Sequence, residues 1–155
     1  MLLAYSAGDQ QAAAAHSAEA QKLAVGVLSL YNPGKGFFSA LYPNGTKIGV
    51  RHVIDFVYVS EFLNQHLTPA IRAEMSRFVH DELLTDTWMR ALSPKDSAAG
   101  ASDRTDHGPY GAYCGWPPLT AAAFARFGNH SEAAVRSHTT IFLCYTAQSA
   151  LVASH

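Results

Sequence analysis

Residues 103–118, D-R-T-D-H-G-P-Y-G-A-Y-C-G-W-P-P, hold more chemically distinctive groups than any other stretch of the chain. Asp103 and Asp106 stand beside Arg104 and His107, and Tyr110, Tyr113 and Trp116 follow at short intervals. Carboxylates beside a histidine can move protons, and flat amphipathic rings can stack on the faces of sugars. Gly108, Pro109, Gly111 and Gly115 exclude a long regular helix here, so a loop must present these groups. A plainer reading stays open, in which this is a tight interhelical loop whose polar groups satisfy its own backbone.

Arg51-His52-x-x-Asp55-Phe56 is the second such group. His52 and Asp55 stand three apart and share a helix face. Ile54, Phe56, Val57 and Tyr58 surround Asp55 in sequence, which predicts partial burial. A carboxylate in such a place is paired or has a raised pKa. Its other role is structural, an internal pair with an arginine or histidine that holds the helix. His52, Asp55, Asp106 and His107 are also of types that suit zinc or non-haem iron. None of the four sits in an H-x-x-x-H or H-x-E motif, so neither a metal nor a cofactor is expected.

The elements that must position these groups read as helices. Ala-rich residues 10–31 have high helix propensity, with Leu23, Val27, Leu30 and Tyr31 on one face and Asn32-Pro33-Gly34 as the stop. Residues 34–49 form an irregular or strand-like connector with a turn at Pro43-Asn44-Gly45. Phe37, Phe38, Leu41 and Tyr42 within it cover a core or line a ligand groove. A second helix spans about 51–66. Thr68-Pro69 opens a third over 69–84, with Ile71, Met75, Phe78, Val79 and Leu83 inward. Arg72, Glu74, Arg77 and His80-Asp81-Glu82 read as its solvated side. The second and third helices are expected to pack as an antiparallel hairpin. Trp88 and Met89 fall in a short helix or at the end of the third. Pro117-Pro118 opens a helix over 117–127 that Gly128 stops, and Ser131 caps another. The tail, residues 137–155, loses the helical period and favours strand at Thr139 to Phe142.

At 155 residues with 48% hydrophobic content, the chain is one domain or part of one. Its 11 Lys+Arg balance 12 Asp+Glu and do not cluster, which argues against a nucleic-acid partner. No uncharged apolar span is long enough for a membrane, and no signal peptide is expected. Cys114 and Cys144 match no zinc or redox spacing and read as free thiols.

Taken in order, Gly36-Phe37-Phe38-x-x-Leu41-Tyr42-Pro43-x-Gly45, Val50-Arg51-His52-x-x-Asp55-Phe56, Trp88-Met89-x-Ala91-Leu92-Ser93, Arg104-x-Asp106-His107 and Gly111-Ala112-Tyr113-x-x-Trp116-Pro117 resemble the six-hairpin glycosidase superfamily over about residues 34–128. The resemblance implies an all-α fold, with helical hairpins forming part of an (α/α)6 toroid over residues 1–136 and an atypical tail after them. It implies a carbohydrate partner and action on glycosidic bonds through paired carboxylates. Asp106 and Asp55 would be the pair, Tyr110, Tyr113 and Trp116 the sugar platform, and Arg51, His52, Arg104 and His107 the polar contacts. Cys114 departs from the family, which often has an acid there. A full toroid asks for several hundred residues. The chain therefore reads as a fragment, one that self-associates through unpartnered faces such as Phe78/Val79 and Phe124/Phe127. The competing function is a non-catalytic helical remnant or carbohydrate-binding scaffold.

Overall fold

The computed structural model describes residues 8–86, 89–101, 104 and 106–133. Asp103, Trp88, Cys144 and the tail 137–155 lie outside the described residues. The chain divides into two compact units, Met1–Tyr31 and Asn32–His155.

The first unit holds α1 (Gln10–Leu28), capped by Asp9, whose side chain accepts the Ala12 N–H at 2.9 Å. Its buried positions are Ala13 and Ala24, whereas Leu23 and Val27, expected to face a core, are exposed.

The second unit is not all-α. Strands β2 (Phe37–Leu41) and β3 (Lys47–Gly49) follow β1 (Tyr31–Asn32), which spans the unit boundary, and the three form a sheet in the order β1-β2-β3. β2 and β3 run antiparallel, with Ser39 opposite Gly49 and Leu41 opposite Lys47. The turn signal at Pro43-Asn44-Gly45 makes this hairpin, with Gly45 at φ +83° and the Tyr42 carbonyl accepting the Gly45 N–H. The expectation of purely helical hairpins is thereby overturned, because residues 34–49 find backbone partners in each other. Phe37 and Phe38 are buried, while Leu41 and Tyr42 are exposed.

Helix α2 (Val53–Phe62) is shorter than expected and ends in a 3₁₀ turn at Asn64–His66. Its main helical partner is the distant α4 (Trp116–Arg126), and the helix that follows it, expected to pack on it as a hairpin, meets it chiefly at residues 79–83. Phe56 makes the contact with α4, its ring 4.9 Å from Phe124 and 5.3 Å from Phe127. Helix α3 (Pro69–Phe78) widens into a π turn over Val79–Leu83, closed by the Leu84 N–H on the Val79 carbonyl. Phe78, Val79 and Phe124 are buried within the chain, so they are not the free faces that self-association was expected to use.

Helix ends follow their sequence signals. Thr68 caps α3 by accepting the Ile71 N–H at 3.2 Å, with Pro69 in the first turn. Thr68→Ala is expected to lower the unfolding free energy by about 1 kcal/mol in urea titration. Gly128 (φ +85°) ends α4 in a Schellman motif: its N–H reaches the Ala125 carbonyl and that of Asn129 the Phe124 carbonyl.

The segment that organises the unit is a strap at residues 89–93, with isolated bridges at Met89 and Leu92. On one side it pairs with the start of α2: His52 bridges Leu92, the Val53 N–H donates to the Ala91 carbonyl and the Ser93 N–H to the Arg51 carbonyl, both at 2.9 Å. On the other side, the Ala91 and Leu92 N–H groups hold the Gly111 and Gly108 carbonyls. The α2 start and the loop before α4, about 55 residues apart in sequence, are thus clamped to one strap.

Candidate functional site

The clamp brings aromatic and imidazole rings together. His52 precedes α2 in an extended conformation, and its Nδ1 caps the helix by accepting the Ile54 N–H at 3.0 Å. The accepting nitrogen carries no proton, so the neutral ring is protonated at Nε2. Burial, then the neighbouring His107, push the His52 pKa down to about 4 against an opposing pull from Asp96. His52 is therefore an uncharged hydrogen-bond donor at neutral pH.

Its ring lies 5.7 Å from Trp116 and 6.4 Å from His107, edge-on to the first and nearly parallel to the second. His107 stacks on Tyr113 at 6.2 Å and meets the indole edge-on at 6.4 Å. Tyr58 also meets the indole edge-on, at 6.4 Å, and stacks on Phe62 at 6.1 Å. Trp116 is buried and its Nε1 has no acceptor among the described residues. Tyr58, Phe62 and Tyr113 are exposed. Together they make a row of rings with a buried indole at its centre. Tyr110 is 80% exposed. Tyr58 and Phe62 were not among the sequence candidates, although their i,i+4 spacing on α2 was the available signal.

The two candidate carboxylates occupy opposite environments. Asp106 lies beside His107, 3.9 Å from its Nε2, and is held by Arg104 through paired bonds of 3.1 and 2.8 Å. Those bonds, with the charge of Arg104 and of His107, keep it below the usual carboxylate range. Asp55 lies one turn beyond His52 on α2 and accepts the Phe38 N–H of β2. Burial pushes its carboxyl up to about 6, against that hydrogen bond. The sequence expectation of burial and a raised pKa corresponds to this environment. Asp55 is held by the sheet and Asp106 by Arg104, so separate contacts fix them.

Arg51 is committed elsewhere. Its Nη1 reaches both carboxylate oxygens of Glu82 at 2.6 and 2.7 Å, and its guanidinium lies 4.6 Å from the Phe37 ring centre. Glu82 was read as solvated, yet only 12% of its side chain is exposed. Its place four residues after Phe78 and three after Val79, on the apolar face, was the missed signal. Among the described residues no group of three His, Cys, Asp or Glu side chains converges as metal ligands would. Cys114 is free and exposed. No described helix is long and apolar enough to cross a membrane. A search for likeness to known proteins finds no family model, no curated protein and no solved structure that matches the chain.

Proposed function

We propose that this chain binds carbohydrate along the row of rings, as part of a glycoside hydrolase-like protein that acts on glycosidic bonds. The row itself carries the reading. Phe62, Tyr58, Trp116, His107 and Tyr113 follow one another at centroid spacings of 6.1, 6.4, 6.4 and 6.2 Å, with the two tyrosines open to solvent. Rings of this kind offer apolar faces to a sugar's C–H groups and polar edges to its hydroxyls. The ordered motifs that resemble the six-hairpin glycosidases point the same way.

Tyr58→Ala and Tyr113→Ala remove exposed rings with little cost to the core. Each is expected to weaken binding about tenfold, on the order of 1.4 kcal/mol, in calorimetric titration with a panel of neutral and acidic oligosaccharides. Failure of every sugar in the panel to bind the unaltered chain would overturn the proposal.

A second reading, cleavage by the Asp55 and Asp106 pair, is favoured by the opposite displacement of their pKa values. Environments that push two carboxyl groups apart are how one becomes the proton donor and the other the ionised partner. Asp55 fits the first role and Asp106 the second. Turnover of aryl glycosides that disappears in both Asp55→Asn and Asp106→Asn supports cleavage. Binding without turnover leaves the scaffold reading in its place.

A further inference from the structure

Glu82 stands outside the ring row, yet its contacts converge on the segments that build it. Arg51 Nη1 holds both of its oxygens, at 2.6 and 2.7 Å, the Ser93 hydroxyl donates to Oε2 at 2.6 Å, and Lys95 Nζ approaches Oε1 at 3.4 Å. The same hydroxyl accepts the Lys95 N–H at 3.1 Å. Burial works to raise the pKa of Glu82, but Ser93, Arg51 and Lys95 together hold it low, so it is ionised.

Arg51 and Ser93 are the residues next to the His52–Leu92 bridge, and the Ser93 N–H donates to the Arg51 carbonyl. Glu82 therefore ties, through side chains, the same two segments that the bridge ties through backbone. The Arg51 N–H is fixed as well, donating to Asp96 Oδ2 at 2.7 Å. Side chains alternate along extended backbone, and His52 is extended at φ −109° and ψ 151°. With Arg51 drawn to Glu82, His52 is turned the other way, to Trp116. The partner segment carries the effect further, because Leu92 and Ala91 hold the loop of His107 and Tyr113.

We infer that Glu82 is a positioning residue for the carbohydrate site, setting where His52 and His107 stand against Trp116 without itself reaching the ligand. The ligand part of this inference rests on the carbohydrate reading, and the geometric part does not. A carboxylate that merely neutralised Arg51 would leave the rings in place once both charges were removed together.

The test compares Glu82→Gln, Ser93→Ala and the double variant Arg51→Met/Glu82→Leu, which leaves no unpaired buried charge. Imidazole nitrogen and proton resonances report His52 and His107, and amide exchange at Ile54 reports the His52 cap. The expected result in the folded variants is displaced resonances for both rings and exchange at Ile54 at least tenfold faster. Affinity for the oligosaccharide that binds best is expected to fall about tenfold or more. Unchanged resonances and unchanged Ile54 exchange in any folded variant that lacks the Glu82 carboxylate would overturn the inference. If no sugar binds the unaltered chain, the carbohydrate reading fails while the resonance and exchange arms still decide the positioning role. If Glu82→Gln fails to fold, the double variant, which buries no unpaired charge, still decides the positioning role.

Discussion

Gly36→Ala is expected to lower the unfolding free energy by about 2–5 kcal/mol, measured by urea titration. Gly36 has φ +76°, where a residue with a Cβ is strained by about 1–2 kcal/mol. A Cβ at this position would also overlap the Glu74 carbonyl and come within 2.8 Å of the Phe78 Cβ. Neither neighbour yields easily, since one is helix backbone and the other belongs to a buried side chain. The start of β2 would have to lift from α3, adding an overpacking cost of about 1–3 kcal/mol. Gly34 is the control. Its φ is +77°, but nothing lies within 4 Å of an added Cβ. Gly34→Ala is therefore expected to show only the backbone cost. Equal effects at the two positions would show that β2 does not press on α3. The consequence reaches the site, because β2 supplies the Phe38 N–H to Asp55 and the Phe37 ring under Arg51.

The part of this arrangement that sequence reveals is the part written in side chains. Thr68-Pro69 and Gly128 mark helix ends because capping needs a hydroxyl, a fixed φ or a missing Cβ. The burial of Asp55 is legible from its apolar neighbours. The sheet is not, since Phe37 and Phe38 are adjacent and both buried, whereas β3 is exposed throughout, so neither strand shows an alternating pattern. His52 as a helix cap is hidden for another reason: imidazole caps only when neutral at Nδ1, and histidine is not among the preferred capping residues. The strap is the least legible element. Residues 89–93 bind residues 51–53 and 108–111 chiefly through backbone N–H and C=O groups, which every sequence possesses. The ordered motifs nonetheless lie on the segments that the strap and β2 join. Tyr110, Tyr113 and Trp116 read as a platform and His107 as a polar contact beside it, but the union of Tyr113, Trp116 and His107 with His52 and Tyr58 depends on that backbone clamp.

Asp55→Asn is expected to stabilise the chain at neutral pH by up to about 3 kcal/mol, and to expose a pH dependence that the unaltered chain conceals. The folded pKa of Asp55, about 6, lies above its usual 3.8. Folding therefore favours the protonated carboxyl. Its contribution is fully present below about 3.8 and is lost as pH rises to about 6, beyond which the burial penalty is constant. About two units of displacement correspond to roughly 3 kcal/mol. An asparagine side-chain oxygen still accepts the Phe38 N–H but carries no charge to bury. His52 acts in the opposite sense. Its folded pKa of about 4 lies below the usual 6.5, so folding favours the neutral ring, and stability rises with pH between those values. Over pH 4–6 the two groups offset one another. Removing Asp55 leaves His52 alone, and unfolding free energies of Asp55→Asn should climb from pH 4 to 6.5 more steeply than those of the unaltered chain. Identical slopes would show that Asp55 is ionised and solvated in the folded state, and would also remove it as the proton donor of a carboxylate pair. A stabilised variant that still binds sugar but has lost any turnover would place Asp55 among groups whose burial costs stability where chemistry needs it.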